Sequence, residues 1–270
     1  MKLTIITVNL NNLEGLKRTV SSVLSQSWRD FEYFVIDGAS TDGSAEYLES
    51  TSKDLSWWVS EKDQGLYDAM NKGIERAKGE YLLFLNSGDY LVNERVLEQA
   101  KRELTGEGII YGDLLEKQRN GKLSVRKFPD VLDFGFLYSY YLPHPSTFIR
   151  RDIFNLTGNY VVNEISSDWQ FLMKAIFEFR ASYKHLKQSV AVYCLDGISS
   201  NPANLEIMAQ EKRRYVSNNY PALSDSLLNT LENDQALVKN LGNSRIIRLI
   251  VSVGFLQYLK KYLDQRKLTQ

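Results

Sequence analysis

Polar side chains that could bind a ligand follow several apolar segments in the first third of the chain. Asp37 follows the apolar run 31–36 and opens a turn made of Gly, Ser, Thr and Asp residues. A carboxylate at such a strand end can accept hydrogen bonds from a base or a ribose. Asp-Gly is also a common turn pair, so turn chemistry alone is the competing interpretation.

The segment 86–89, Asn-Ser-Gly-Asp, follows the apolar run 81–85. The Asp89 carboxylate is a hard oxygen ligand of the kind that suits Mg²⁺ or Mn²⁺ bridging to a diphosphate. Ser87 and Gly88 are small enough to let the backbone approach that diphosphate closely. A solvated turn is the alternative interpretation of the same four residues.

Two residues in the second half of the chain could act on a substrate. Asp168 precedes an apolar helical face, where a carboxylate could serve as a general base or could cap the helix. His144 stands between two prolines that fix its backbone, and it could contact a phosphate or an acceptor hydroxyl. For this histidine a structural role is the alternative.

The spacing of apolar residues predicts strands and helices that alternate through residue 113. The predicted strands are 3–8, 31–36, 57–60, 80–85 and 109–113. The predicted helices between them are 13–23, 44–50, 67–77 and 94–104. This order predicts an α/β fold with a doubly wound, mostly parallel sheet and helices on both faces. The carboxyl ends of its strands, where ligands bind in such sheets, carry Asn9, Asp37 and the segment 86–89.

The remainder of the chain is less regular. Residues 114–165 are rich in aromatic side chains, and their pattern does not fix a strand order. The later predicted elements are a strand at 190–195 and helices at 167–177, 205–219, 224–241 and 244–265. A Gly/Ser/Asn/Pro cluster at 197–204 predicts a boundary between a domain at 1–200 and a helical extension at 201–270.

Composition excludes several classes of protein. The 270 residues carry 33 Lys+Arg and 33 Asp+Glu, and this zero net charge argues against a general nucleic-acid binder. One cysteine and two histidines exclude a disulfide scaffold and a Cys/His-rich metal site. No apolar stretch approaches the roughly 20 residues of a membrane span, so we expect a cytoplasmic protein.

Four motifs follow one another along the chain. They are Thr7-x-Asn9, the run 37–44 (Asp-Gly-Ala-Ser-Thr-Asp-Gly-Ser), the run 61–73 (Glu-Lys-Asp-Gln-Gly-Leu-Tyr-Asp-Ala-Met-Asn-Lys-Gly) and 86–89. Strand one is followed by neither Gly-x-Gly-x-x-Gly nor a P-loop, which disfavours a Rossmann dehydrogenase and excludes a P-loop hydrolase. Over residues 1–200 the chain resembles the family 2 inverting glycosyltransferases of GT-A fold, especially bacterial enzymes that build O-antigen and capsular polysaccharide.

The resemblance implies transfer of a sugar from a nucleotide-sugar, preferably a UDP-sugar, to a hydroxyl of a glycan or lipid-linked glycan, with inversion. It implies a nucleotide-sugar half at about 1–113 and an acceptor half at about 114–200. Asp89 would hold Mn²⁺ or Mg²⁺, Asp168 would be the catalytic base and His144 would contact the acceptor or a phosphate. The implied nucleotide-sugar contacts are Thr7, Asn9, Asp37, Asp63, Asn71, Asn86, Ser87 and Gly88.

Two alternatives remain open within the same fold. An inactive sugar-nucleotide-binding or scaffold protein is suggested because the segment 86–89 departs from the Asp-x-Asp metal motif of the family. A nucleotidyltransferase is less favoured, because the loop 7–13 lacks the glycines and basic residues that such an enzyme needs.

The segment 244–267 carries six Lys+Arg against one acid, a net charge of +5. Its uncharged stretch 249–259 is about half as long as a membrane span. This pattern predicts a helix that lies on an anionic membrane surface, on the inner face of the plasma membrane. Packing on the catalytic domain, or on a second subunit in a homodimer, is the alternative.

Overall fold

Strands and helices alternate from the start of the chain. The computed structural model describes residues 1–118, 120–194 and 202–221, together with the single positions 229 and 233. The strands are β1 (Leu3–Asn9), β2 (Glu32–Asp37), β3 (Trp57–Ser60), β4 (Tyr81–Phe84), β5 (Tyr90–Leu91), β6 (Ile109–Lys117), β7 (Leu123–Arg126), β8 (Thr147–Arg150) and β9 (Tyr183–Cys194). The α-helices are α1 (Leu13–Leu24), α2 (Ser44–Thr51), α3 (Leu66–Arg76), α4 (Val96–Ala100), α5 (Phe134–Ser139), α6 (Ile153–Thr157), α7 (Ser167–Met173) and α8 (Pro202–Asn219).

The helix starts follow from polar side chains that accept backbone hydrogen bonds. α1 begins after Asn12, whose side chain accepts a hydrogen bond from the backbone N–H of Gly15. Asp42 accepts a hydrogen bond from the backbone N–H of Ser44 at the first residue of α2. Such side chains satisfy N–H groups that have no partner inside the helix. Both starts agree with the sequence-based predictions.

One nine-stranded sheet contains all these strands, in the order β3-β2-β1-β4-β8-β6-β9-β5, with β7 paired to β6. β1 pairs in parallel with β2 and β4, and β2 pairs in parallel with β3. β8 is antiparallel to both of its neighbours, β4 and β6. The predicted α/β fold is confirmed, and the antiparallel insertion of β8 is one feature that the sequence did not reveal.

The core lies along the central strands. Every residue of β1 and of β4 is buried, and the largest fully buried side chains include Trp169, Tyr81 and Phe84. Continuous apolar strands of this kind are typical of a sheet covered on both faces. Each fully buried Leu, Ile or Phe side chain contributes about 1.5–3 kcal/mol to folding.

β9 is longer than predicted, because it begins at Tyr183 rather than at residue 190. Its first half pairs in parallel with β6 and brings His185 next to Tyr111. The His185 ring stacks on that tyrosine with 5.1 Å between ring centres, and Nε2 lies 2.9 Å from Oδ1 of Asp113. Its side chain is 7% exposed. The extension of β9 along β6 therefore places the His185 side chain in a buried position.

The chain divides into two compact units, Met1–Tyr215 and Val216–Gln270. The residues of α8 up to Tyr215 belong to the first unit, and the predicted boundary near residue 201 stays a prediction. The segment 244–267 lies outside the described residues, so its membrane or subunit contact stays a prediction too. Within the described part of the chain, no helix combines the length and the apolar character needed to cross a membrane.

Candidate active site

The carboxylate of Asp37 joins the carboxyl ends of β1, β2 and β3. Asp37 pairs in register with Asn9 on one side and with Ser60 on the other. It is 0% exposed. Its four hydrogen-bond donors are Asn9 Nδ2 at 2.7 Å, Ser40 N at 2.9 Å, Ser40 Oγ at 2.5 Å and Ser60 Oγ at 2.6 Å. This geometry gives Asp37 the role of holding three strand ends together, and its direct contact with a nucleotide stays a prediction.

Two amide oxygens at this edge have no hydrogen-bond partner within the described residues. They are Oδ1 of Asn9, at the end of β1, and Oδ1 of Asn86, just after β4, and both atoms are buried. The two strands are parallel neighbours, and the backbone N–H of Ser87 donates to the carbonyl of Val8 at 3.0 Å. Unpaired buried acceptors are uncommon and costly. These two oxygens are thus buried acceptors that no donor among the described residues satisfies.

Asp63 approaches the end of β2 closely. One oxygen accepts a hydrogen bond from the backbone N–H of Gly65 at 2.9 Å. A Cβ atom on Gly38 would lie 2.7 Å from the other oxygen, so a side chain at that position would displace the Asp63 carboxylate. Asp63 is half-buried. Of the two aspartates at this edge, Asp63 is thus the one that a ligand can reach.

Two other residues of the predicted nucleotide set are engaged within the fold. The buried Thr7 hydroxyl donates to the carbonyl of Leu85 at 2.8 Å and lies 3.1 Å from the Tyr33 hydroxyl. Asn71 forms a reciprocal pair with the backbone of Tyr160, donating at 2.9 Å and accepting at 3.0 Å. These bonds connect elements of the fold, and a nucleotide contact of Thr7 or Asn71 stays a prediction.

The turn 86–89 packs against the start of α1. Nδ2 of Asn12 donates to the carbonyl of Ser87 at 3.0 Å. The Thr19 hydroxyl accepts from the backbone N–H of Gly88 at 2.9 Å and donates to the carbonyl of Asp89 at 2.6 Å. Gly88 has a φ of 110°, a conformation that favours glycine. These hydrogen bonds hold the turn in one shape.

The Asp89 carboxylate is directed at the end of β9. Oδ1 accepts a hydrogen bond from the backbone N–H of Cys194 at 2.9 Å, and Asp89 is 6% exposed. No group of three or more His, Cys, Asp or Glu side chains in the described part of the chain could hold a metal ion. A divalent cation on a diphosphate needs an accessible protein oxygen. The Asp89 carboxylate does not fit that need, and its geometry gives no support to the predicted metal-ligand role.

Asp168 lies in the first turn of α7 and reaches Tyr67 on α3. Oδ1 of Asp168 accepts a hydrogen bond from the Tyr67 hydroxyl at 2.7 Å. Burial, and then the negative charge of Asp168, raise the pKa of Tyr67 well above its usual value, so the phenol keeps its proton. Ser166 is the cap residue of α7, so the helix-cap interpretation of Asp168 is wrong. The Asp168 side chain is 19% exposed and can meet a ligand.

His144 faces the other oxygen of Asp168. Its Nδ1 lies 3.7 Å from Oδ2 of Asp168, and its Nε2 lies 3.2 Å from the Tyr160 hydroxyl. Burial lowers the pKa of His144, and the charge of Asp168 opposes that shift. Burial also raises the pKa of Tyr160 well above its usual value. A protonated Tyr160 donating to Nε2 leaves the proton of the neutral imidazole on Nδ1, toward Asp168.

Asp168, Tyr67, His144 and Tyr160 together form what we call the Asp168 cluster. Sequence reasoning identifies Asp168 and His144 and misses the two tyrosines. Tyr67 lies inside the motif 61–73, so its position carried a signal, whereas nothing in the sequence around Tyr160 marks it. The structure thus brings together a carboxylate, a neutral imidazole and two phenols.

The family model described as Glycosyl transferase family 2 matches residues 4–160. The match covers more than half of the 270 residues. The chain belongs to glycosyl transferase family 2. The matched range of this family 2 chain contains Asn9, Asp37, the turn 86–89 and His144, and Asp168 follows it.

Mycobacterial proteins are among the relatives of this family 2 chain. An uncharacterised glycosyltransferase of Mycobacterium tuberculosis is 34% identical over 184 residues, which cover 64% of this chain and 68% of the relative. A PGL/p-HBAD biosynthesis glycosyltransferase of Mycobacterium bovis is 28% identical over 205 residues, covering 73% of this chain and 78% of the relative.

Solved structures share the fold of this family 2 chain. A Staphylococcus aureus TarS fragment in complex with UDP-GlcNAc superposes with a TM-score of 0.66 at 18% identity, covering 91% of this chain and 74% of that one. The mannosyltransferase PcManGT from Pyrobaculum calidifontis, in complex with GDP-Man and Mn²⁺, gives a TM-score of 0.61 at 15% identity, covering 96% and 80%. At these identities the likeness concerns the fold alone.

Proposed function

We propose that this chain is an inverting glycosyltransferase. It takes a sugar from a nucleoside-diphosphate sugar, with UDP as the preferred nucleotide, and transfers it to a hydroxyl of a glycan or lipid-linked glycan. The observation that carries the proposal is the Asp168 carboxylate, which is partly exposed and is positioned by the Tyr67 hydroxyl at 2.7 Å. Only Oδ1 is hydrogen-bonded to Tyr67, and Oδ2, with Nδ1 of His144 at 3.7 Å, is the oxygen that can take a substrate proton.

Asp168 acts as the general base in this reaction. The acceptor hydroxyl attacks the anomeric carbon from the face opposite the leaving nucleoside diphosphate, and its proton moves to Oδ2 of Asp168 as the new bond forms. Tyr67 binds Oδ1, and Nδ1 of His144 lies 3.7 Å from Oδ2, beyond hydrogen-bond distance, so Oδ2 can take that proton. A single displacement forms no covalent sugar–enzyme intermediate, so one carboxylate within hydrogen-bond reach is sufficient.

The nucleotide binds at the carboxyl ends of β1, β2 and β4. The half-buried Asp63 is the accessible side chain of this edge, and the oxygens of Asn9 and Asn86, buried in the structure, accept N–H and O–H groups of the base and ribose once their side chains turn toward the nucleotide. Asp37, Thr7 and the turn 86–89 keep this edge in shape. A ligand that supplies the missing donors offsets the cost of the two unpaired acceptors.

The choice of acceptor is supported by likeness to relatives. The Mycobacterium bovis relative is named for PGL/p-HBAD biosynthesis, and the TarS structure contains UDP-GlcNAc. The UDP-GlcNAc complex supports a UDP-sugar donor. A role in surface polysaccharide assembly, such as that of O-antigen or capsule, rests on the resemblance of the sequence motifs. A contact of the segment 244–267 with anionic lipid would bring the enzyme to a lipid-linked acceptor.

Mn²⁺ or Mg²⁺ remains the predicted cofactor of the reaction, and Mn²⁺ is present in the PcManGT structure. Because the Asp89 carboxylate is bound to β9, no step of the mechanism is assigned to a metal held by that residue. Hydrolysis of a UDP-sugar in Mn²⁺, in Mg²⁺ and in EDTA measures the requirement directly.

The test is the release of UDP from UDP-N-acetylglucosamine, UDP-glucose and UDP-galactose without an acceptor, with water in place of the hydroxyl. Asp168→Asn keeps the size of the side chain and removes the base. We expect turnover to fall by ~10²-fold or more while the Kd for UDP changes less than about twofold. Asp54→Asn, an exposed aspartate, is the matched control.

Equal turnover of Asp168→Asn and the wild type would remove Asp168 from the chemistry. A wild type that binds UDP and releases none from any of the three donors, with and without Mn²⁺, would instead favour the inactive sugar-nucleotide-binding protein. These two outcomes differ in the wild-type rate, so the same assay separates them.

A further inference from the structure

Glu211 on α8 binds the loop that leads into Asp168. Both of its oxygens lie 3.1 Å from the backbone nitrogen of Ile165, and Oε2 also accepts from the backbone N–H of Ser166 at 2.9 Å and from the Ser166 hydroxyl at 2.5 Å. Glu211 is 6% exposed. Ser166 makes no side-chain cap bond to α7. A carboxylate from a helix 45 residues away therefore satisfies the donors of this loop.

The same loop is bound by α3 as well. The Tyr67 hydroxyl lies 2.9 Å from the carbonyl of Ile165, 2.7 Å from Oδ1 of Asp168 and 3.4 Å from the backbone nitrogen of Asp168. Residues 165–168 are thus connected to α3 through Tyr67 and to α8 through Glu211. Two anchors on separate helices restrict the positions that the Asp168 carboxylate can take.

Lys212, the next residue on α8, contacts Trp169, the residue that follows Asp168 in the chain. Its ammonium donates to the carbonyl of Tyr138 at 2.9 Å. It also lies 3.8 Å from the ring centre of Tyr141 and 5.0 Å from that of Trp169, at cation–π distance from both. Trp169 is fully buried and follows Asp168 directly. α8 therefore holds the residues before and after Asp168.

We propose that Glu211 is a positioning residue for the transfer reaction. Through its hydrogen bonds to Ile165 and Ser166 it directs the Asp168 carboxylate at the acceptor hydroxyl. The inference rests on the proposed function, in which Asp168 takes the proton. Glu211 acts through Asp168, and a displacement of a catalytic group by about 1 Å can cost about 10²-fold in rate.

Glu211→Gln tests the proposal in the full chain. One carboxylate oxygen becomes an N–H₂ group that faces the backbone N–H of Ile165, so the loop shifts at that residue. We expect the turnover of UDP-N-acetylglucosamine hydrolysis to fall about tenfold or more, with the Kd for UDP unchanged within about twofold. Glu206→Gln, an exposed glutamate on the same helix, is the matched control and should leave both values unchanged.

The decisive measurement repeats Glu211→Gln in the Asp168→Asn background, using radiolabelled donor to follow the residual rate. Because the positioned group is already absent, the second substitution should cause no further loss. The same fold loss in both backgrounds, or a loss in Glu211→Gln no larger than in Glu206→Gln, overturns the proposal. If Asp168→Asn itself retains wild-type turnover, the proposed function fails, which is a different result.

Ser166→Ala provides a second test of the proposal if Glu211→Gln does not fold. It removes only the hydroxyl donor and leaves the Glu211 carboxylate bound to two backbone N–H groups. We expect turnover to fall by about threefold or more at unchanged UDP affinity, again with no added loss in Asp168→Asn. Wild-type turnover in Ser166→Ala, in a variant with a normal Tm, counts against a positioning role.

Discussion

The hydroxyl of Tyr67 lies 2.7 Å from Oδ1 of Asp168, although the two residues are 101 positions apart in the chain. Tyr67 belongs to the motif 61–73, and Asp168 stands at the start of α7, beyond the range matched by the family model. The bond orients the carboxylate by one of its oxygens. It links the motif 61–73 to the proposed base.

Removal of the Tyr67 hydroxyl should therefore slow catalysis more than it weakens donor binding. In Tyr67→Phe the carboxylate of Asp168 loses its donor on Oδ1 and can rotate away from the acceptor position. We expect UDP-sugar turnover to fall about tenfold, with a Kd for UDP within about twofold of the wild type. Tyr47→Phe on α2 is the control. Unchanged turnover in Tyr67→Phe would show that Asp168 is positioned without this bond.

Asp37→Asn should destabilise the fold. The buried carboxylate accepts four hydrogen bonds, and an amide replaces one acceptor oxygen with a donor that faces other donors. We expect a loss of about 2–4 kcal/mol in the free energy of unfolding, measured in urea. Asp30→Asn, at an exposed position, should be neutral. A variant with normal stability and weakened UDP binding would instead place the nucleotide on Asp37.

Asp89→Ala removes the acceptor of the Cys194 N–H and so separates a structural carboxylate from a metal ligand. In the structure Oδ1 of Asp89 accepts from the backbone N–H of Cys194. We expect the free energy of unfolding to fall by about 1–3 kcal/mol, by the same amount in EDTA and in Mn²⁺. The contrary result is a variant of normal stability whose UDP affinity drops only when Mn²⁺ is present.

The parallel part of the sheet could be predicted because each of its strands is a short apolar run bounded by polar turns. The bounds of β3 are those predicted, and no bound of β1, β2 or β4 differs from its prediction by more than one residue. The direction of β8 and the early start of β9 could not be predicted. Their residues carry the same apolar pattern whichever way a strand runs, and only the partners in β4 and β6 select a direction.

The candidate site, like the sheet, has a part that could be predicted from the sequence and a part that could not. Residue type alone pointed to Asp168 and His144, since a carboxylate and an imidazole are the usual groups for proton transfer. Residue type could not tell that Asp37 is saturated with hydrogen bonds, or that Asp89 turns toward β9. Those facts depend on donors that are distant in the chain, such as Ser60 and Cys194. The role of Glu211 could not be predicted for the same reason, because its donors Ile165 and Ser166 are distant in the chain.

Lys212 gives the fold a dependence on pH that the sequence does not reveal. Burial lowers the pKa of its ammonium to about 7, and the charge of Asp168 only partly opposes this shift. In the unfolded chain a lysine keeps its proton up to a pH of about 10.4. Between these two values the unfolded state binds one more proton than the folded state, so the stability of the folded state rises with pH.

Lys212→Met should remove that dependence. Methionine has a similar length and no charge, so the cost of burying an ammonium disappears at low pH, while the bond to the Tyr138 carbonyl and the contact with the Tyr141 ring are lost. From pH 7 to pH 10, wild-type stability should rise relative to the variant by on the order of 4 kcal/mol. The measurement is urea unfolding at several pH values. Lys53→Met, at an exposed position, should follow the wild type throughout. Parallel stability curves for the wild type and Lys212→Met would mean that Lys212 keeps its proton in the folded chain.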